Sequence, residues 1–236
     1  MNLRNVYLAF VPVIALSFVA GTSQAALHDR GSGLIYDDVL NLTWLQDANY
    51  AKTSGYHANG LMSWADSRAW VDQLVYAGHD NWRLPDVAPA NGSTYNYAGS
   101  NDGHTDAGWN ITRSSSELAY MFYVNLGNAG AVTPAGAPTG CGASNLCFTQ
   151  TGPFINIVPA YGAWYGEAFF GYGVAGWAWT LDSGGYQSGA LQNTLRNAWA
   201  VHPGDIAAAI PEPGTLAMLL AGLLSIGAIT RRRHRL

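Results

Sequence analysis

The sequence predicts an α+β domain of two helices and a small, mostly antiparallel twisted sheet with long loops. Three patterns point to it. Ser63-Trp64-Ala65-Asp66 offers a helix N-cap with an acidic residue three places on, and Trp64, Val71, Leu74 and Val75 follow at helical spacing until Gly78. Ser114, with Glu117 three places later, reads as a capping box for a second helix that carries Leu118, Met121, Phe122 and Leu126 and stops at Gly127. From Phe154 onward the period changes to two: Ala163-Trp164-Tyr165, Trp177 to Leu181 and Ala198 to Val201 are short aromatic runs separated by glycine-rich turns, which is sheet.

The chain opens with Arg4 in a short polar start, an apolar run from Val6 to Ala20, and Ser23-Gln24-Ala25, which puts small residues where a signal peptidase reads. Residues 1–25 are therefore expected to be a secretory signal peptide, cut between Ala25 and Ala26, rather than a buried N-terminal helix. Leu34 to Tyr36 and Leu42 to Leu45 alternate as two early strands. Gly78 then leads through His79-Asp80-Asn81 into a short strand that places Trp82 and Leu84 on one face and Arg83 on the other, closed by Pro85. In a domain poor in bases, Arg83 is expected to be structural, paired with a carboxylate at Asp80 or on a neighbouring strand.

Residues 26–210 are long enough for one sizeable core. Their bases are Arg30, Lys52, Arg68, Arg83, Arg113 and Arg196, while every acid of the chain except Glu212 lies among them. Such an acidic domain excludes simple electrostatic attraction to nucleic acid or anionic polysaccharide. A neutral sugar, a cation-bridged polymer or another protein is an easier partner. Cys141 and Cys147 frame a Gly/Ala-rich loop and are expected to form a disulfide in an exported chain, since no histidine in the loop completes a metal site.

Candidate chemistry is sparse. Gly171 to Gly176 spells a dinucleotide fingerprint but leads into a tryptophan-rich strand instead of a helix, so it reads as a turn. Between Asn91 and Asn110, the residues Asp102, Asp106 and Asn110, with Asn101 and His104, crowd ligands into a glycine-punctuated loop. A hard cation such as calcium could be held there, although the spacing is not that of an EF-hand and a solvated polar loop is the plainer reading. No nucleophile elbow, His-Glu-x-x-His or phosphate loop occurs, and Glu117 and Glu167 are the only glutamates available to a glycosidase. No catalytic residues are therefore assigned, and the domain is expected not to be an enzyme.

All nine tryptophans fall between Trp44 and Trp199. Most must be core. Tyr95, Tyr97, Trp109, Trp164 and Tyr165, with Tyr161 and Tyr172, stand in irregular, glycine-rich surroundings and are expected to offer flat faces to a sugar ring.

The stretch His79-Asp80-Asn81-Trp82-Arg83-Leu84-Pro85 resembles the Asp-Trp-Arg-Leu-Pro signature of the Lcl C-terminal domain family. Gly33 to Asp37 with Leu42 to Leu45 is similar to its opening strands, Trp64 to Trp70 and Ser116-Glu117-Leu118 to its helices, and Asn197 to Val201 with Pro203-Gly204-Asp205 to its closing strand. The resemblance covers Gly31 to Ile206. It implies a C-type-lectin-like fold and a bacterial surface setting, with no catalytic residues to carry over. Domains of that fold often hold calcium in long loops. Formylglycine-generating enzymes, distant relatives with a catalytic cysteine pair, have their cysteines in another context.

Residues 211–236 have a different grammar: Pro211-Glu212-Pro213, an uncharged stretch to Thr230, then Arg231, Arg232, Arg233 and Arg235. At about 1.5 Å per residue the stretch is about 25 Å long, enough for a transmembrane helix in a slightly thinned bilayer, with the arginines cytoplasmic. The arrangement resembles the PEP-CTERM sorting signal, which implies signal peptidase and exosortase as processing partners, a transient inner-membrane anchor and a final place at the cell surface or outside it. A plain membrane anchor is the alternative. Together these readings describe an exported matrix or surface component that binds polysaccharide or protein. A polysaccharide-acting enzyme and a ligand-free structural protein are the competing classes.

Overall fold

The structure is a computed structural model and describes residues 27–141, 147–173, 176–182 and 184–207. The expected signal peptide (1–25) and the sorting segment with its expected transmembrane helix (211–236) lie outside the described residues. Among the described residues no helix is long and apolar enough to cross a membrane. The architecture is mixed α/β, with few helices and extensive sheet. In chain order it runs β1 (Leu27–Asp29), β2 (Leu34–Asp37), β3 (Leu42–Leu45), α1 (Tyr50–Thr53), β4 (Leu61–Met62), α2 (Trp64–Asp72), β5 (Gly99–Ser100), β6 (Ala107–Gly108), α3 (Glu117–Tyr120), β7 (Ala163–Ala168), β8 (Trp177–Leu181), β9 (Gln187–Leu191), β10 (Arg196–Asn197) and β11 (Val201–Pro203).

The strands form two sheets where the sequence suggested one. The smaller, antiparallel throughout, has the order β1-β2-β3-β11, so the last strand closes against the third. The larger has the order β4-β10-β7-β8-β9-β6-β5 and includes two parallel pairings, β10 with β7 and β5 with β6. Period-two alternation sends neighbouring side chains to opposite faces, and here both faces are covered. Ile35, Trp44, Tyr165, Trp179 and Val201 enter one apolar cluster. Leu34, Leu45, Trp164, Ala178 and Ala200, their chain neighbours, enter the other.

Helix α2 begins as its sequence predicts: the Ser63 hydroxyl accepts from the Asp66 amide at 3.2 Å and donates to the Asp66 carboxylate at 2.6 Å. It buries Ser67, Trp70 and Val71 and ends at Asp72, short of Gly78. Gly78 instead serves a tight turn in which Tyr76 and His79 exchange both backbone bonds at 2.9 Å, with Ala77 and Gly78 at positive φ. The second helix also departs from expectation. Its N-cap is Ser116, whose side chain makes no capping bond, and after Tyr120 it widens into a π-turn over Met121–Asn125. Glu117 is not a capping partner for Ser114, because Arg83 takes its carboxylate. Gly127 follows at φ 67°, as a helix stop should.

Trp82 and Leu84 are buried as expected, but their segment is a single bridge rather than a strand: Arg83 and Val201 exchange both backbone bonds at 2.9 Å. The Arg83 guanidinium then forks onto Glu117, Nη1 donating to Oε2 and Nη2 to Oε1, both at 2.8 Å, and Asp86 lies 3.3 Å from Nη1. Arg83 is thus structural, with Glu117 as partner in place of Asp80. Cys141 and Cys147 are bonded, with Cα atoms 4.9 Å apart, and Cys147 is packed into the first cluster.

Two stability predictions follow from these contacts. The Arg83 and Glu117 side chains keep 31% and 12% of their exposure, so removing the cation leaves a largely buried carboxylate; Arg83→Ala should cost about 3 kcal/mol. Arg83→Lys, which keeps charge without the fork, should melt between Arg83→Ala and wild type; equal melting of all three proteins would contradict the pair's role. The double Cys141→Ser/Cys147→Ser protein should still fold, with a loss of about 2 to 3 kcal/mol in chemical denaturation because the closed loop is short.

Candidate functional site

Two surface features combine polar and aromatic chemistry, and the first is the loop region 89–110 with the rings beside it. Tyr95 and Tyr97 do not stand free. Their ring centroids lie 5.2 and 5.8 Å from that of the buried Trp179, and Tyr97 also meets Phe169 at 4.9 Å. Phe169 in turn contacts Tyr172 at 5.1 Å, so a ribbon of rings leads from the core to the surface. At its outer end Tyr172 is 58% exposed, and Phe170, next to Phe169 in the chain, is 57% exposed. Nearby on the same sheet, Trp109 packs on Tyr186 with centroids 4.3 Å apart, both half-buried.

Trp164 and Tyr165 do not belong to this face. Both are fully buried, because β7 lies inside the larger sheet with a core cluster on each side. The Trp164 indole donates to the Met62 carbonyl at 3.0 Å. The Tyr165 hydroxyl lies 3.1 Å from the Ser116 hydroxyl, accepts from the Ala119 amide at 3.0 Å and donates to Gln187; burial pushes its phenol well above the usual range. Tyr95 is raised to about 12, first by burial, and its hydroxyl donates to the Val87 carbonyl at 2.7 Å. Phe170 and Tyr186 are aromatic residues outside the expected set. Their only signal in the sequence is an aromatic residue beside glycines in the connections on either side of β8.

The expected cation ligands are each engaged by the protein. Asp106 is 1% exposed and organises the loop: one carboxylate oxygen accepts from Arg113 at 2.6 Å and the Ala90 amide at 2.8 Å, the other from the Asn96 amide at 2.8 Å. It is a structural hub and not an exposed ligand. Asp102 is at the surface, where a hydrogen bond from His104 holds its carboxyl below the usual range. Asn110 turns its amide to the carbonyls of Asn101 and Val132, at 2.6 and 2.9 Å. The three therefore do not converge on a cage. Among the described residues no group of three or more His, Cys, Asp or Glu side chains is placed to hold a metal ion.

The second feature was not legible in the sequence. Between α2 and β7 lies a surface cavity of about 190 Å³ lined by Arg68, Asp72, Arg83, Asp86 and Glu167. Arg68 stacks its guanidinium 4.9 Å from the Trp64 ring centre. Glu167 accepts the Val87 amide at 3.1 Å, and its side chain lines the same cavity as Asp86. Burial, reinforced by the Asp86 charge, pushes Glu167 up to about 8.

The glycine-rich stretch Gly171 to Gly176 lies in the connection between β7 and β8, with Gly173 and Gly176 at positive φ, and leads into a strand as expected. Neither curated proteins nor solved structures show a match to the chain. A family model does match at the C-terminus: the PEP-CTERM protein-sorting motif, over residues 209–233. That stretch, with Pro211, Glu212, Pro213 and the first arginines of the tail, lies outside the described residues. It implies export, processing by exosortase and a cell-surface destination.

Proposed function

We propose that the domain is a non-enzymatic, lectin-like binding module of the Lcl C-terminal type, displayed by exosortase sorting and directed at neutral glycan of the surrounding matrix. The observation that carries this reading is the aromatic ribbon that begins on buried Trp179, runs through Phe169 and ends in exposed Tyr172, with the exposed Phe170 beside it in the chain. Rings anchored in a core stay in place without ligand, so binding orders few new side chains, and their flat faces suit the apolar face of a sugar. The amides and hydroxyls of the loop from Asn91 to Asn101 supply hydrogen-bonding groups beside them. The acidic balance of the domain favours an uncharged ligand or one bridged by cations.

Hydrolysis of polysaccharide is the second reading, and Asp86 with Glu167 is the acid pair it would need. Both line the cavity between α2 and β7, but Asp86 lies 3.3 Å from the Arg83 guanidinium and Glu167 accepts the Val87 amide, so each is engaged by the protein itself, which favours binding over turnover.

The mature protein should bind a subset of neutral glycans on an array screened with and without calcium. Tyr172→Ala and Phe170→Ala should each weaken binding about tenfold while leaving the melting temperature within error, since each removes one exposed stacking face. Release of new reducing ends from the producer's own exopolysaccharide would instead support the enzyme. Replacing Pro211-Glu212-Pro213 by alanines should leave the protein uncleaved in the inner membrane. Mass spectrometry of released protein checks this, and release with the wild-type C-terminus would exclude the motif's role in sorting.

A further inference from the structure

The chain leaves the fold under restraint. After β11 it turns back at Gly204, which has φ 77°; the Gly204 amide donates to the Asn41 carbonyl at 2.9 Å and its carbonyl accepts from the Thr43 hydroxyl at 2.8 Å. The Ile206 amide reaches the same hydroxyl at 3.3 Å, and the Ile206 side chain packs against the second apolar cluster. Asp205 takes two donors of Arg30, each at 2.7 Å, and His79 donates to the Ala207 carbonyl at 2.6 Å. The strap from Gly204 to Ala207 is therefore held by residues 128 to 175 positions earlier in the chain.

Only residues 208 to 210 separate this strap from Pro211. Fully extended, the four steps from Ala207 to Pro211 reach at most about 14 Å. A domain of this length has a radius of about 20 Å. The tether is shorter than the body it carries, so an enzyme that closes on Pro211-Glu212-Pro213 must bring its own surface against the face around the strap's end. The chemistry of that face is polar and balanced. Arg30, the only arginine or lysine in 27–43, 75–81 and 202–207, is engaged by Asp205, and His28 pairs with Asp38 at 3.1 Å. Two exposed apolar side chains flank the strap: Val39, in the turn that offers the Asn41 carbonyl, and Val75, next to the Tyr76–His79 turn that holds Ala207. An anionic lipid surface finds no arginine or lysine left for it among these residues, whereas apolar contacts in a polar, charge-balanced setting suit a protein partner.

We propose that the face around the strap, with Val39 and Val75 as its exposed apolar contacts, docks on the exosortase that processes this chain. The proposal rests on the sorting reading of residues 209–233 and adds a second contact to it, one that belongs to the folded domain. The strap fixes where the chain leaves, and the short tether keeps domain and motif together, so the enzyme meets both at once. Two linked contacts gain from a high effective concentration. Because the strap's partners come together only in the fold, an unfolded domain presents the motif without the face.

The rate of processing of the full-length chain, followed by pulse-chase in cells that carry the exosortase, tests this. A Gly-Ser insertion of about twelve residues directly after Ala207 lies beyond the strap's contacts and lengthens the tether from four steps to about sixteen. Effective concentration falls roughly as the −3/2 power of tether length, so processing should slow about eightfold. Val39→Asp, Val75→Asp and Val75→Lys should each slow it about fivefold at unchanged melting temperature, because a charge pressed against a protein surface loses its water. An unchanged or faster rate for the insertion would overturn the proposal. So would point variants that all process like wild type, since slowing by the insertion alone is an effect of spacing. Slowing by aspartate with acceleration by lysine would assign the face to anionic lipid and overturn it as well. Replacing Pro211-Glu212-Pro213 by alanines should stop processing in every background; wild-type processing of that protein would remove the sorting reading itself, and the docking with it, whereas the other outcomes leave the sorting reading intact.

Discussion

The fork from Arg83 to Glu117 is the contact on which the rest of the domain converges. Its backbone is bridged to Val201, the first residue of the closing strand, and its side chain reaches the first residue of α3. Glu117 also accepts the Asp86 amide at 2.7 Å, so one carboxylate satisfies a guanidinium and a turn amide together. Trp82 and Leu84 leave from the opposite side of the same three residues and enter the second apolar cluster. One short segment thus ties the small sheet, the second helix and the core. A planar cation suits this, since its donors are fixed in direction and two of them match the spacing of a carboxylate's oxygens.

Covering both faces of both sheets has a consequence for where function can sit. Trp44, Trp164 and Trp179 are wholly buried, and so is Tyr165, whose hydroxyl sits in a network with Ser116, Ala119 and Gln187. Little of the regular structure is left to meet a ligand. The exposed rings and the polar loop lie instead in the connections flanking β8 and between α2 and α3, which is where a chain can vary without disturbing its packing. Asp106 shows how firmly such a loop can be held: a buried carboxylate gathers two amides and an arginine and gives a long irregular segment a fixed shape.

The two ends of the domain are brought together in the same way. Arg30, just after β1, forms two 2.7 Å bonds to Asp205, just after β11. The Thr43 hydroxyl donates to the Gly204 carbonyl at 2.8 Å, and His79 holds the Ala207 carbonyl at 2.6 Å. The described residues therefore reach within four residues of Pro211, counting from Ala207. The sorting motif follows the domain closely, and the sheet that carries both ends is the part of the fold nearest to it along the chain.

Much of this was written in local pattern. The early strands, the cap of α2 at Ser63, the stop at Gly127, the disulfide and the sorting motif each depend on a few adjacent residues whose physics is local: alternation, a hydroxyl beside a free amide, positive φ, a short loop between two cysteines. Other features needed the tertiary structure. Trp164 and Tyr165 look like a surface pair among glycines until the larger sheet places strands on both sides of them. Ser114 and Glu117 have the spacing of a capping box, yet the carboxylate goes to Arg83, thirty-four residues away in sequence. Asp106 resembles its neighbours Asp102 and Asn110 in composition and differs from them only by burial. That Asp86 and Glu167 line one cavity goes with a bulge in β7 that no spacing announces. Sequence alone determines what each residue can do with its neighbours in the chain; which distant group it meets, and whether water can reach it, is decided by how the sheets close.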